Sequence, residues 1–191
     1  MTAGTGYDPE VLKRRLRGAR PSRLVGDDVL ADAVERGARV VILDDDPTGT
    51  QSVSGLPIVT QWRQSDLEWA FEQDGRGICV LTNTRSLEAA EARARNAEAL
   101  ASVHAAAQGG PYSIISRGDS TLRGHYADEI DVVQSSLRSN GWGVVDAVLV
   151  VPAFPDAGRI TVDAVHWVHE GGGFTPAGES SFARDSTFGY D

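Results

Sequence analysis

Short apolar runs rich in β-branched residues alternate with longer amphipathic segments along most of the chain. Five such runs stand out: Arg39–Leu43, Gly55–Thr60, Gly77–Thr82, Tyr112–Ser116 and Ala147–Val151. Their apolar residues occupy successive positions rather than every second one, as in strands that are covered on both faces. The runs therefore predict five strands of a buried sheet. A further strand is expected over Thr161–Val168.

The segments between these runs carry apolar residues at helical spacing. They are Asp27–Arg36, Ser65–Gln73, Ser86–Gln108 and Asp128–Ser139. Ser65 and Glu68 match a capping box, and Ser86 is an expected N-cap. Residues 1–25 are polar and irregular, which predicts an N-terminal arm. The alternation of strands and helices predicts an α/β fold, a three-layer sandwich with a mostly parallel, Rossmann-like sheet.

A polar, turn-rich segment follows four of the predicted strands. The four sequences are DDDPTGTQ (44–51), TNTRSL (82–87), SRGDSTLRGH (116–125) and PAFPDAGRIT (152–161). In open parallel sheets, ligands bind at the carboxyl ends of the strands. We therefore expect the four segments to line one edge of the sheet and to form a binding cleft there.

This cleft would combine carboxylates with guanidinium groups. The polar side chains concerned are Asp45, Asp46, Asn83, Arg85, Arg117, Asp119, Arg123 and Arg159. Arginine captures a carboxylate or phosphate through two parallel hydrogen bonds, and aspartate binds hydroxyls or acts as a general base. Each residue also has a structural explanation, since aspartate favours turns and arginine forms ion pairs. Taken together, the residues favour a small polar anion as the ligand.

Composition excludes several other function classes. The chain has 27 acidic and 18 basic residues and a net charge of −9, which disfavours nucleic-acid binding. Only Lys13 among the basic residues is lysine, so a phosphate-binding loop ending in Gly-Lys-Ser/Thr is absent. No apolar run is long enough to cross a membrane and no signal peptide is evident, which predicts a cytoplasmic protein.

Cysteine and histidine usage gives no sign of metal binding. The single cysteine, Cys79, lies in an apolar run and is expected to be a buried, inert thiol. His166 and His169 would point to opposite faces of a strand, and no third ligand accompanies them. We therefore expect no metal site in this chain.

The four polar segments resemble the N-terminal domain of the four-carbon acid sugar kinases. The matching sequences are LDDDPTGTQ (43–51), TNTRSL (82–87), SRGDSTLRGH (116–125) and VPAFPDAGRITVDAVHWV (151–168), in the family's order. The resemblance implies an α/β domain, here residues 26–191, that binds a sugar acid such as threonate, erythronate or an oxo relative. It also implies ATP as phosphoryl donor and Mg²⁺, both bound mainly by a C-terminal domain that this sequence lacks.

The resemblance assigns roles to residues by position. It implies catalytic aspartates, with Asp46 the first choice as proton acceptor and Asp119 the second. The implied substrate-binding residues are Asp45, Arg85, Arg117, Ser120, Arg123, Gly124 and Arg159. Arg123, with Arg117 or Arg85, would hold the substrate carboxylate. The sequence departs from the family pattern at two positions. Pro47 stands where a hydrophobic residue is frequent, which marks a D-P-T-G subgroup whose substrate can differ. Arg117 stands where lysine is common, which keeps the charge but changes its geometry.

The expected function is therefore that of the substrate-binding part of a sugar-acid kinase, inactive by itself. Its expected partners are the sugar acid and a nucleotide-binding domain or separate chain, and a homodimer is compatible with the sequence. The alternatives are a stand-alone sugar-acid-binding module and an inactive truncated remnant. The sequence does not identify the sugar acid or the hydroxyl that is phosphorylated.

Overall fold

The computed structural model describes residues 39–52, 54–119 and 123–184, and before them Glu10 and Arg14. The arm predicted over 1–25 and the helix predicted over 27–36 lie outside the continuous ranges. The described residues form two compact units, treated separately below. Of the described residues, the first unit contains 39–118 and Gly124–Val148, and the second contains Glu10, Arg14, Asp119, Arg123 and the chain from Leu149 onward.

The first unit contains a parallel four-stranded sheet in the order β2-β3-β1-β4. Its strands are β1 (Arg39–Asp44), β2 (Ile58–Val59), β3 (Gly77–Leu81) and β4 (Tyr112–Arg117). In the register of the sheet, Val41 lies beside Ile78 on one side and Ile114 on the other. The central strands β1 and β3 are therefore paired on both edges, as their unbroken apolar runs predict.

In the ranges that the structure describes, three helices flank this sheet and contribute to its core. They are α1 (Gln64–Glu72), α2 (Ala89–Ala107) and α3 (Tyr126–Ser139). Leu67 of α1 and Leu100 of α2 are fully buried in one cluster with Leu43 and Val80 of the sheet. Burying each such side chain stabilises the fold by about 1.5–3 kcal/mol. The predicted α/β class with a mostly parallel sheet is confirmed, and the flanking helices are consistent with a three-layer sandwich.

The predicted helix caps are wrong. α1 begins at Gln64 after Arg63, and α2 begins at Ala89 after Glu88, with no side-chain cap hydrogen bond in either case. Ser65 lies inside the first turn of α1, where the Gln64 side-chain amide donates to the Glu68 carboxylate instead. Ser86 belongs to a preceding turn closed by the bond from Leu87 N–H to the Thr84 carbonyl.

The strand predicted over Ala147–Val151 is also absent. The segment is irregular and belongs to neither sheet. Leu149 is 91% exposed and Val151 79% exposed. The boundary between the two compact units falls between Val148 and Leu149. The apolar composition of this segment is typical of a buried strand, but the segment pairs with no strand of either sheet.

The second unit contains an antiparallel three-stranded sheet in the order β5-β6-β7. Its strands are β5 (Arg159–Val162), β6 (Val165–Glu170) and β7 (Gly173–Pro176). The single strand predicted over Thr161–Val168 is therefore a hairpin, with Asp163 and Ala164 at positive φ in its turn. Two residues at positive φ form the tight turn that suits a hairpin, but aspartate followed by alanine gives a weak sequence signal for it.

Candidate functional site

Three consecutive aspartates occupy the carboxyl end of β1, the strand that lies between β3 and β4. Asp44 is the last residue of the strand and is 2% exposed, and Asp45 is 3% exposed. The backbone N–H of Asp45 donates to the Arg117 carbonyl at the end of β4. The Asp44 carbonyl accepts the N–H of Thr82 just beyond β3. Strand pairing therefore carries the aspartates to the edge predicted for a ligand site.

Arg85, from the loop after β3, binds two of these aspartates. Its Nε and Nη2 donate to Oδ2 and Oδ1 of Asp45, at 3.2 and 2.8 Å, in a bidentate pair. Its Nη1 also donates to Oδ2 of Asp46. A planar guanidinium suits this geometry, which an ammonium group could not reproduce. Arg85 thus fixes the position of both carboxylates.

Arg117, the last residue of β4, pairs with the remaining aspartate. Its Nη1 donates to Oδ1 of Asp44 at 3.3 Å, and the side chain is 43% exposed. Gly49 packs directly against this pair, because a Cβ at that position would lie 2.2 Å from Oδ2 of Asp44. Only glycine fits here without displacing the carboxylate.

Gly124 makes the same kind of close approach to Asp45. Its φ is +109°, a value that residues with a side chain rarely adopt, and a Cβ would lie 2.9 Å from Oδ2 of Asp45.

We call Asp44, Asp45, Asp46, Arg85 and Arg117 the aspartate–arginine cluster. The structure thus brings together Asp45, Asp46, Arg85, Arg117 and Gly124 of the predicted site.

The aspartates of this cluster differ in proton affinity. Burial raises the pKa of Asp44, and the neighbouring aspartates add to this effect against the opposing Arg117 charge. Burial alone would raise the pKa of Asp46 too, but hydrogen bonds from the Thr48 N–H and hydroxyl and the charges of Arg85 and Arg117 lower it. Asp46 is therefore held as a carboxylate with acceptor capacity.

The other predicted residues meet in the second unit. Asp119 is 4% exposed and accepts from Nε and Nη2 of Arg123, at 3.1 and 3.0 Å. It also accepts from Nη1 of Arg159 at 3.3 Å. Two guanidiniums on one carboxylate leave a net positive charge. We call Asp119, Arg123 and Arg159 the arginine pair cluster. Ser120 lies outside the described residues.

The aromatic ring of Phe182 supports both arginines of this cluster. The guanidinium carbon of Arg123 lies 4.9 Å from the ring centroid, and that of Arg159 lies 5.3 Å from it. Cation–π attraction and shape therefore hold the two cations in place although their charges repel. Sequence reasoning missed Phe182, which follows the last polar segment by more than twenty positions and belongs to no motif.

Sequence reasoning also missed Glu129 of α3. Its side chain is 3% exposed and lies among the carboxylates of the first unit. Glu129 follows Asp128 in the first turn of α3, and such an acidic pair is typical of a solvated helix start. At the acidic start of a helix, a buried glutamate and an exposed one look the same in a single sequence. No sequence signal could therefore have identified Glu129.

The described residues contain no group of three or more histidine, cysteine, aspartate or glutamate side chains arranged to hold a metal ion. Arginines engage the aspartates of the first unit instead. No helix within the described ranges combines the length and apolar character needed to cross a membrane. Cys79 is buried, and burial raises the pKa of its thiol to about 11.

Sequence similarity connects this chain to known proteins. The family model of the sugar-binding N-terminal domain matches residues 40–191. A curated relative, the D-erythronate kinase of Heliobacterium modesticaldum, is 34% identical over 156 residues. That match covers 78% of this chain and 32% of the kinase, so the chain spans about a third of its relative. The chain belongs to the family of sugar-binding N-terminal domains, as its resemblance to the four-carbon acid sugar kinases predicts.

Proposed function

We propose that this chain is the sugar-acid-binding part of a kinase that phosphorylates a hydroxyl of a four-carbon sugar acid, with D-erythronate as the first candidate. The name of the relative supports the substrate class. The observation that carries the proposal is the Arg85 guanidinium clamped between Asp45 and Asp46 at the carboxyl ends of parallel strands. Buried, oriented carboxylates at such an edge are suited to binding the hydroxyls of a small polyol.

Asp46 is the proposed acceptor of the attacking hydroxyl's proton. It is partly exposed, and its Oδ2 and Oδ1 are oriented by Arg85 and Thr48. A low pKa makes it a weak base, but phosphoryl transfer passes through a loose transition state in which positioning matters more than early proton removal. Asp119 is the second choice, because Arg123 and Arg159 occupy its oxygens.

Within the second unit, taken by itself, the arginine pair cluster is a proposed anion site, and the resemblance implies the substrate carboxylate as the anion for Arg123. Its two guanidiniums lie over the Phe182 ring and share the counter-ion Asp119. A carboxylate that approached them would complete the charge balance and accept paired hydrogen bonds. Arg117 is the corresponding cation of the first unit, since it is the most exposed arginine of the aspartate–arginine cluster.

ATP and Mg²⁺ belong to the proposed reaction but are assigned to other parts of the enzyme. The described residues offer no metal-binding group, and the sequence has no phosphate-binding loop. We assign both to the part of such kinases that lies beyond the aligned region, present as a further domain or a separate chain. A cytoplasmic location follows from the same proposal, since ATP is the donor.

A stand-alone sugar-acid-binding module is the second candidate function. It requires the same ligand site, so ligand binding alone does not separate it from a kinase part. The described residues provide no metal-binding group of their own, which is the observation in its favour. Recovery of D-erythronate-dependent ATP consumption on adding the separately purified remainder of the enzyme would exclude it.

A thermal-shift panel tests the proposal. The chain is heated with D-erythronate, D-threonate and their epimers, each with and without ATP. A ligand at a hundred times its Kd raises the free energy of unfolding by about 2.7 kcal/mol, which shifts the midpoint by several degrees. We expect stabilisation by one or more four-carbon acids and none by ATP. Stabilisation by ATP alone would contradict the domain assignment.

A further inference from the structure

A buried carboxyl group lies beside the aspartate–arginine cluster without a role in the mechanism above. Glu129 is on the first turn of α3, and its side chain is 3% exposed. Its Oε1 is fully buried and has no hydrogen-bond partner among the described residues. An unpartnered buried carboxylate is costly, whereas a protonated carboxyl group costs far less.

Within the described part of the chain, the charged groups that act on Glu129 are carboxylates. The charges of Asp45 and Asp44, at the end of β1, raise the pKa of Glu129, and the Ser116 side chain of β4 opposes this shift. A Cβ at Gly118 would lie 3.8 Å from Oδ2 of Asp45 and 3.9 Å from Oε2 of Glu129. The two carboxyl groups therefore converge on the same space beside the Gly118 backbone.

The neighbouring cations and histidines are committed elsewhere. Arg85 makes its bidentate pair with Asp45, and Arg117 pairs with Asp44. On α2, Arg93 pairs with Asp128 and His104 bonds to the Ser136 hydroxyl, while His125 donates from Nε2 to the Leu87 carbonyl. Burial first, and then the charge of Asp45, raise the pKa of Glu129 to about 7.

We propose that Glu129 is a positioning residue that keeps its proton beside Asp45, and that loss of this proton weakens binding of an anionic ligand to the cluster. The substrate half of this inference rests on the proposed function. Three aspartates against two arginines already leave the cluster with one negative charge. An ionised Glu129 would add a second next to Asp45, where it would repel a sugar acid and strain the Asp45–Arg85 pair.

The sign of the pH effect follows from the two protonation equilibria. In the unfolded chain the pKa of Glu129 is near 4.5, and in the folded protein it is near 7. Between these values the folded state binds more protons than the unfolded state, so this group's contribution to stability falls as pH rises from about 4.5 to about 7. Above about pH 7, Glu129 is ionised in both the folded and the unfolded state, and the loss of stability is complete.

The test compares the wild-type chain with Glu129→Gln and with Glu98→Gln at pH 5 and pH 8. Glutamine has the shape of the protonated acid and cannot ionise. Glu98 is exposed on α2 and controls for loss of one charge. The unfolding midpoint of Glu129→Gln relative to the wild type should rise by several degrees on going from pH 5 to pH 8, and that of Glu98→Gln should not. Equal differences at both pH values would overturn the proposal.

Binding of D-erythronate supplies the second measurement. At pH 8 we expect the Glu129→Gln variant to bind on the order of tenfold more tightly than the wild type, and at pH 5 equally. Weaker binding by the Glu129→Gln variant at both pH values would indicate a merely structural role for the side chain and would overturn the proposal. If neither protein binds D-erythronate at any pH, the proposed substrate is wrong. The difference in unfolding midpoint between pH 5 and pH 8 then tests by itself whether Glu129 keeps its proton.

A direct titration covers the case in which the variant does not fold. The carboxyl ¹³C shift of Glu129 in the wild-type chain reports its protonation without any substitution. An inflection near pH 7 supports the proposal, and one near 4.5 overturns it.

Discussion

At the scale of single residues, the candidate site depends on charges that are buried in pairs. Asp45 is 3% exposed, and its two oxygens are held by one guanidinium, that of Arg85. Removing one partner of a buried pair leaves the other charge without compensation, which costs far more than the pair contributes. Mutation of one partner of a buried ion pair should therefore lower the free energy of unfolding much more than mutation of one partner of an exposed pair.

The first prediction applies this to Arg85. Arg85→Ala should lower the free energy of unfolding by about 3–5 kcal/mol, because Asp45 would remain buried and lose its bidentate partner. Arg95→Ala is the matched control, since Arg95 pairs with Glu91 on the exposed side of α2, and it should cost about 0.5 kcal/mol or less. Urea denaturation measures both. Equal losses in the two variants would contradict the assigned burial.

The second prediction concerns the glycine that packs against Asp44. Gly49→Ala places a methyl group 2.2 Å from Oδ2 of Asp44, so the carboxylate or the loop has to move. We expect a loss of about 1–3 kcal/mol in unfolding free energy. Gly75→Ala is the control, because its Cβ would lie 3.5 Å from the Gly55 carbonyl, an ordinary contact. If Gly49→Ala were as stable as the control, the close approach would be refuted.

At the scale of secondary structure, sequence patterns predict elements better than their ends. The run Arg39–Leu43 and the long alanine-rich segment are a strand and a helix, as predicted, because length and periodicity agree there. The capping role predicted for Ser86 is wrong because a serine before a helix also suits a turn, and the Thr84 carbonyl closes one. Caps depend on φ and ψ angles that the residue type alone does not determine.

The third prediction follows from the position of Ser86. Ser86→Ala should cost less than about 0.5 kcal/mol, whereas loss of a real N-cap typically costs about 1 kcal/mol. Thr84→Ala should cost more, because the buried Thr84 hydroxyl is 3.3 Å from the Thr82 hydroxyl, which would lose a partner. Thermal denaturation of the two variants measures the difference. A larger loss in Ser86→Ala than in Thr84→Ala would restore the capping assignment.

Tertiary pairing explains the larger errors at this scale. Val148–Val151 have the composition of a buried strand but remain exposed, because composition does not determine whether a strand finds a neighbour to pair with. The hairpin β5-β6 resembles one strand in sequence because its turn residues, Asp163 and Ala164, interrupt the apolar pattern only briefly. The sequence does not predict β7, because its four residues, GFTP, are too few to show a periodicity.

At the scale of the whole molecule, the chain is acidic, with a net charge of −9, yet its ligand is proposed to be an anion. The arginine pair cluster resolves this apparent conflict, because two arginines on one aspartate provide local positive charge. The order of the polar segments along the chain makes these arginines predictable. Two of their neighbours are not, because Glu129 and Phe182 act through packing that no local pattern records.

The fourth prediction tests the assignment of the substrate carboxylate. Arg123→Ala should weaken D-erythronate binding at least tenfold, the loss expected from removing one charged hydrogen-bond partner. Arg138→Ala, at the exposed end of α3, controls for loss of a positive charge and should bind as the wild type does. Calorimetric titration gives both Kd values. Unchanged affinity in Arg123→Ala would remove this residue from the carboxylate site.

The most direct measurement is a calorimetric titration of the wild-type chain with D-erythronate, repeated with ATP in place of the acid. The account predicts saturable binding of the acid with a stoichiometry of about one per chain, and no heat of binding with ATP. Absence of binding by D-erythronate and its four-carbon relatives, or saturable binding of ATP to this chain alone, would contradict the assignment of this domain to the sugar acid.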